Sequence, residues 1–404
     1  MVVIKPFNVE QWMDTYETQC KYNIAETCCD SVSLTDLVSL AGNVETGAEN
    51  PITSVLAKKR LDYGHIRGSP SLRTNIAKLY ESSTLPVSQS QVLITPGAIA
   101  ANFLVFYTLV HPCDHIICIH PTYQQLYTVP ESLGAKVDLW KLKENDNWSA
   151  DVTELQKLIK DNTKMIILNN PNNPTGATLP FSVLEGVKSL AEKNNITVLC
   201  DEVYAPVFHS SKAPPPPSFM SLGYKNTIVT GSLSKAYSLA GIRIGWIASH
   251  NEEIVEIIAA ARDYNTISVS QLDDAVAAYA LSPGVRENLV ERNIKLCEAN
   301  LEVLDAFVNK YAKSVGYVKP VSGTTAFVKF TRSDGEVVDD VRLCEMVMAD
   351  AGVLFVPGGH CFGTYEGEFR GYVRIGYACG TAALKQGLEK VGEWIESGGI
   401  DKCS

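Results

Sequence analysis

Nowhere in the 404 residues does an apolar run reach the ~20 positions that a membrane span needs, so no spanning helix is expected. The first residues, MVVIKPFNVEQWMDTYE, carry acids and a tryptophan where a secretory leader needs an apolar stretch and small residues; a cytoplasmic location is the expectation. No basic cluster relieves the net charge of -10, which argues against nucleic acid and for a small-molecule partner. The 11 cysteines include no CxxC pair and no accompanying histidine set. Neither a metal site nor a disulfide framework is therefore indicated, and the thiols, adjacent Cys28 and Cys29 included, read as reduced. Internal repeats are absent, and the one biased segment is the stiff loop Pro214–Pro217.

From Gln91 to Ala248, short β-branched runs alternate with helical stretches, the mark of successive βα units on a mostly parallel sheet. The strands expected are VLIT from Val92, HIICI from His115, KVDLW from Lys136, KMIIL from Lys164, ITVLC from Ile196, TIVTG from Thr227 and RIGWIA from Arg243. They predict an α/β fold with a seven-stranded sheet. From Asn288 to Tyr311, apolar residues at three- and four-residue spacing predict a long helix leading out of it. AFVKF, a helix around Val341–Ala351, VLFVPG, YVRIGYA and a last helix from Thr381 then read as a smaller α+β domain. The expected division is an N-terminal segment 1–60 with two or three helical pieces packing on both domains, a large domain 61–286, and the bridging helix with the small domain 287–404.

In open α/β sheets ligands lie beyond the carboxyl ends of the strands. There the chain places PGAIAANF after Thr95, NNPNNPTG after Leu168, DEVY after Cys200, and a serine and lysine pair after Gly231. Each has an ordinary explanation as a turn, a cap or a helix start. Together they bring a lysine amine, a carboxylate, a phenol, an asparagine amide and an anion-ready helix terminus to one crevice. Lys235, within GSLSKAYSLAGIRIGWIAS, is read as a desolvated amine that loses charge readily and attacks carbonyls. The set meets the needs of pyridoxal 5′-phosphate, which requires a lysine for its aldehyde, an acid facing its ring nitrogen and a phosphate cradle.

From about Tyr63 onward the chain resembles the class I/II aminotransferases of pyridoxal-phosphate fold type I, a three-layer architecture. YGHIRGSPSLR, NNPNNPTG, DEVY, SLSKAYSLAGIRIG and VRIGYA look like that family's signatures in their order. The resemblance implies that Lys235 bonds the cofactor aldehyde, that Asp201 pairs with the ring nitrogen, and that Tyr204 and Asn173 bond the ring's phenolic oxygen. It further implies a phosphate site made by Gly97, Ala98, Ile99, Ser232, Ser234 and Arg243, with Tyr123 stacked on the ring. Tyr63 would reach a phosphate across the interface of a homodimer, and Arg374 would clamp the carboxylate of an amino-acid substrate. Transamination to a 2-oxo acid is the first expectation.

The front of the chain departs from this pattern. Residues 21–37, KYNIAETCCDSVSLTDL, with the preceding VEQWM, look more like capreomycidine-synthase-like enzymes and the carbon–sulfur lyases of fungal secondary metabolism. The same framework can eliminate a β- or γ-substituent or close a ring, and those outcomes are the alternative; a non-catalytic pyridoxal-phosphate-binding regulator is a more remote one. Asn23–Ser31 is expected at the mouth of the site, with Glu26 toward the substrate side chain; capping a helix near Ser33 is its competing role.

Overall fold

The computed structural model describes residues 3–41, 51–81, 85–209 and 214–404. A seven-stranded sheet runs in the order Val92–Thr95, Gly245–Ser249, Thr227–Ser232, Thr197–Asp201, Thr163–Asn169, His115–His120, Lys136–Lys141. Only Gly245–Ser249 runs against its two neighbours, so the other strands all point the same way. Alternation of side chains across a strand divides the core. Ile116, Cys118, Met165, Ile167 and Leu199 enter one apolar cluster with helices Ala98–Leu109, Gln125–Ser132 and Glu252–Arg262. Ile117, Ile119, Ile166, Leu168 and Val198 enter the other, with helices Phe181–Asn194 and Val285–Lys310. Burial on both faces explains why these strands read as unbroken apolar runs.

The strand expected from Arg243 begins instead at Gly245. Arg243 closes the short turn Ala240–Ile242 with φ +52°, a left-handed conformation unfavourable for a residue with a side chain. Gly245 is where the strand presses on the start of helix Ala98–Leu109: a Cβ there would lie 2.3 Å from the Gly97 carbonyl carbon.

Beyond helix Val285–Lys310, an antiparallel sheet has the order Val356–Pro357, Tyr372–Gly376, Thr325–Phe330, Val315–Tyr317, backed by helices Asp340–Ala351 and Thr381–Glu396. The N-terminal residues tie into this part and into the large sheet's surroundings. Tyr22–Asn23 pairs in parallel with Val353–Leu354, and Trp12 Nε1 donates to the Phe355 carbonyl at 2.8 Å. The Asn8 backbone N–H donates to Gln124 Oε1 at 2.9 Å. Among the described residues, no helix is long and apolar enough to cross a membrane.

Candidate active site

Asn169, Asp201 and Ser232 close three neighbouring parallel strands, and Gly97 follows a fourth that points the same way. A cavity of about 310 Å³ opens beyond these ends. Its walls include Lys235, Asp201, Tyr204, Asn173, Ser232 and Ser234. Ala98, Ile99, Tyr123, Arg243, Arg374 and Glu26 complete the set brought together from the sequence. Two expected residues do not line it. Gly97 lies just behind, its Cβ position 2.7 Å from Arg243 Nη2. Tyr63 stands away on the surface, 82% exposed.

Asp201 is buried, with Oδ2 accepting from Asn102 Nδ2 at 2.8 Å and Oδ1 from the Val203 N–H at 3.2 Å. Burial pushes its carboxyl up to about 6, against the pull of those bonds and of Lys235. Both of these hydrogen bonds come from neutral donors. The Thr230 hydroxyl donates to Asn102 Oδ1 at 2.7 Å and so fixes the amide that holds Asp201.

Lys235 Nζ lies 3.5 Å from Glu26 Oε1 and 3.4 Å from Cys28 Sγ. Burial acts to lower this amine, but Cys28, Glu26 and Tyr204 outweigh it and hold the group above its ordinary value. Burial foremost, with Glu26 against the pull of Lys235, pushes the Cys28 thiol up to about 11, so at neutral pH Cys28 is uncharged. Glu26 is the charged partner of Lys235 at neutral pH. Burial acts to raise the Glu26 carboxyl, yet Lys235 and bonds to Thr27 and Cys28 bring it down to about 2. These neighbours favour the charged form of the amine that the sequence reading expects to shed its charge.

Arg374 is 3% exposed, and its Nη2 donates to the Ala25 carbonyl at 3.0 Å. Nη1 reaches Asn173 Oδ1 only at 3.5 Å, and Nε has no partner. No carboxylate pairs with it among the described residues. An enclosed guanidinium in this condition is a receptor for an anion, and its planar fork suits a carboxylate. Tyr204 is buried against Lys235 and Arg374, and burial raises its phenol despite both.

A second anion receptor faces it across the cavity. Helix Ala98–Leu109 starts at Gly97 with φ +83° and no capping side chain, leaving its first N–H groups free. Arg243 Nη1 donates to the Ala240 carbonyl at 2.9 Å and approaches Ser234 Oγ at 3.4 Å. Ser232 Oγ in turn accepts the Ser234 N–H at 3.2 Å. In NNPNNPTG the asparagines build their own turn: Asn169 Oδ1 accepts the Asn173 N–H at 2.8 Å, and Asn172 Oδ1 the Thr175 hydroxyl at 2.7 Å. That bracing leaves the Asn173 amide facing Arg374.

The family model for aminotransferase class I and II matches residues 41–391. The chain belongs to the class I and II aminotransferases. A crystal structure of a PLP-dependent aminotransferase from Streptococcus suis superposes with a TM-score of 0.88 and 37% identity over 98% of each chain. Capreomycidine synthase of Streptomyces vinaceus is 27% identical over 95% of this chain and 92% of its own. Aspartate aminotransferase of Thermotoga maritima is 27% identical over 90% of this chain and 92% of its own. The class I and II aminotransferases depend on pyridoxal phosphate, and the site fits that cofactor. The uncapped helix start with Arg243 and the serines suits the phosphate, the buried Asp201 carboxylate bonded only by neutral donors suits a ring N–H, and Lys235 lines the same cavity.

Several lining residues escaped the sequence reading. Asn102 carried a signal, being the polar residue within the apolar helix AIAANFLVFYTLV. Val9, Glu10, Met13 and Glu17 of the N-terminal helix region also line the cavity, where the sequence shows only an ordinary amphipathic stretch. Tyr123, expected on the cofactor ring, donates its hydroxyl to Glu10 Oε1 at 2.6 Å. Glu26 does not cap the helix Leu34–Ser39; Ser33 and Asp36 do so with a capping box.

Proposed function

We propose that this enzyme acts at Cα of an L-amino acid, with Lys235 as the amine that holds the cofactor and as the base that moves the Cα proton. The observation that carries this is Arg374, a buried guanidinium whose Nε has no partner and which pairs with no carboxylate among the described residues, lining the same cavity as Lys235. Bound pyridoxal phosphate supplies an aldehyde for the amino group and a cationic ring that withdraws electrons from Cα. Asp201, braced by Asn102, would hold the cofactor by its ring nitrogen. Arg374 grips the substrate carboxylate and with Asn173 fixes the orientation of Cα. Tyr204 holds a hydrogen bond to the ring oxygen, and Ser232, Ser234 and Arg243 with the N–H groups after Gly97 hold the phosphate. Lys235 Nζ would hold the cofactor aldehyde and, when not bonded to it, would stand on the cavity wall as the base for the Cα proton.

Transfer of the amino group to a 2-oxo acid is the reaction we assign first. Elimination or ring closure is a second reading, favoured by Glu26 and Cys28 against Lys235 and by similarity to a capreomycidine synthase. The products separate them: a 2-oxo acid, ammonia with pyruvate, or a cyclised amino acid. Arg374→Lys tests the common core. It should raise KM for amino acids by about tenfold or more while pyridoxal-phosphate content stays near that of the parent, because a point charge cannot copy the two-pronged grip. Equal loss of cofactor would make Arg374 a structural residue.

We further assign a large domain to residues 61–286 and a small one to 287–404, with 1–60 packing on both. A cytoplasmic homodimer with shared active sites completes the assignment. The exposed Tyr63, with Leu61 and Ile66 beside it, supports the pairing.

A further inference from the structure

The lining of the cavity divides by origin. Residues 98–243 and Arg374 supply the groups that suit the cofactor and a carboxylate, and their cations are all engaged: Lys235 for the aldehyde, Arg243 for the phosphate, Arg374 for the substrate carboxylate. The wall that remains comes almost wholly from residues 9–28, ahead of the part matched by the family model, and it brings Glu10, Glu17 and Glu26 with no base. Arg374, with its buried unpartnered Nε, independently marks the space as one built for a charged ligand.

The three acids share the cavity lining. Glu26 follows Ala25, whose carbonyl accepts from Arg374, so it stands beside the carboxylate grip. The segment is pressed there: a Cβ on Gly376 would lie 1.7 Å from the Glu26 carbonyl oxygen, and the Gly376 N–H donates to the Ile24 carbonyl at 2.8 Å. Glu10 and Glu17 project from the N-terminal helix and the residue after it, exposed at the mouth. The Glu17 carboxylate has no hydrogen-bond or ion-pair partner among the described residues. A substrate held by Arg374 meets Glu26 close by and the exposed acids Glu10 and Glu17 on the same cavity lining.

We infer that the amino acid this enzyme takes carries a cation, an ammonium or guanidinium, on its side chain, and that Glu26, with Glu17 and Glu10 at the mouth, selects it. This rests on the reading of the site given under Proposed function. A side-chain carboxylate meets repulsion in the same place, and a neutral alkyl chain leaves the acids solvated but unused.

The test measures exchange of the Cα proton with deuterium from solvent by the holoenzyme, for L-ornithine, L-lysine, L-arginine, L-glutamine, L-norleucine and L-glutamate. The expected order in kcat/KM is cations first, glutamine and norleucine about tenfold or more lower, and glutamate last, with the advantage of the cations shrinking as salt rises. Glu26→Gln, which keeps an oxygen for the Thr27 and Cys28 N–H groups, should reduce the ratio of the preferred cation to norleucine several-fold. Glu17→Lys, at an exposed position outside the packed segment, should lower the same ratio without depending on how Glu26→Gln folds. Exchange with no preference for cations, or a ratio unchanged in both variants, overturns this inference and leaves the Cα chemistry standing. Exchange with none of the amino acids overturns both.

Discussion

Asp201 and Glu202 stand next to each other in the chain, both buried, and both are pushed up: Asp201 to about 6, and Glu202, by burial against its bond from the Phe219 N–H, to about 7. On unfolding each recovers an ordinary carboxylate value, so the folded protein holds extra protons between. Their contribution to stability is full below the unfolded value and is lost as pH rises through the folded one. The buried His115, His120 and His209 are held down by burial and act in the opposite sense over part of that window. The measurement that isolates Asp201 is therefore a difference. In urea unfolding of the cofactor-free protein, parent minus Asp201→Asn should fall by on the order of 2 kcal/mol from about pH 4 to about pH 7. A flat difference would mean that Asp201 is already ionised by something other than the cofactor. At this scale the sequence was informative wherever chemistry sat at a strand end: Lys235, Asp201, Asn173 and Ser232 stood out because polar groups followed apolar runs. Glu10 and Glu17 did not, because acids on an exposed helix look alike whether they face a cavity or only water.

The backbone from Tyr22 to Cys28 brings Glu26 and Cys28 to Lys235. Its strand has two residues, too short for alternation to show, and its partner Val353–Leu354 lies at the far end of the chain. The large sheet was legible for the opposite reason, since burial on both faces demands runs of β-branched residues. Arg243 shows the limit: RIGWIA continues the strand pattern, but the backbone turns left-handed at Arg243 to return its guanidinium toward Gly97. The position of the N-terminal segment depends on a glycine in VRIGYA. Gly376→Ala should displace Ile24–Thr27, lower stability by about 1–3 kcal/mol as overpacking does, and reduce discrimination among substrate side chains more than it reduces cofactor content. Absorbance of bound cofactor and kcat/KM ratios, taken together, check it. Unchanged ratios with an intact fold would show that the segment gives way without consequence for selection.

Over the whole molecule, Leu61, Tyr63, Ile66, Tyr107 and Tyr264 leave apolar and aromatic surface in solvent, and Ile99, Phe103 and Asn265 share a second cavity with Ile4. Large exposed apolar surface marks association. Sedimentation should give a dimer at working concentrations, and Tyr63→Ala should weaken cofactor retention although Tyr63 lies outside the cavity of its own chain. A fully active monomer refutes the shared site. The sequence alone suggested this pairing only through resemblance, because a side chain that completes a neighbour's site carries no mark distinguishing it from surface.

The bond from Trp12 to Phe355 joins residues 343 apart in the chain, and that from Arg374 to Ala25 joins residues 349 apart. Synthesis runs from one end, and contacts so distant in sequence form last. On the ribosome, the strands that carry the cofactor groups are complete by Ser249, long before Phe355 and Arg374 emerge. The acidic wall, with Val9, Trp12, Met13 and Ile24, must wait until Phe355 and Arg374 have been made. The strands with the cofactor residues are thus made early, whereas the wall inferred to choose the substrate is fixed only after Phe355 and Arg374 have followed.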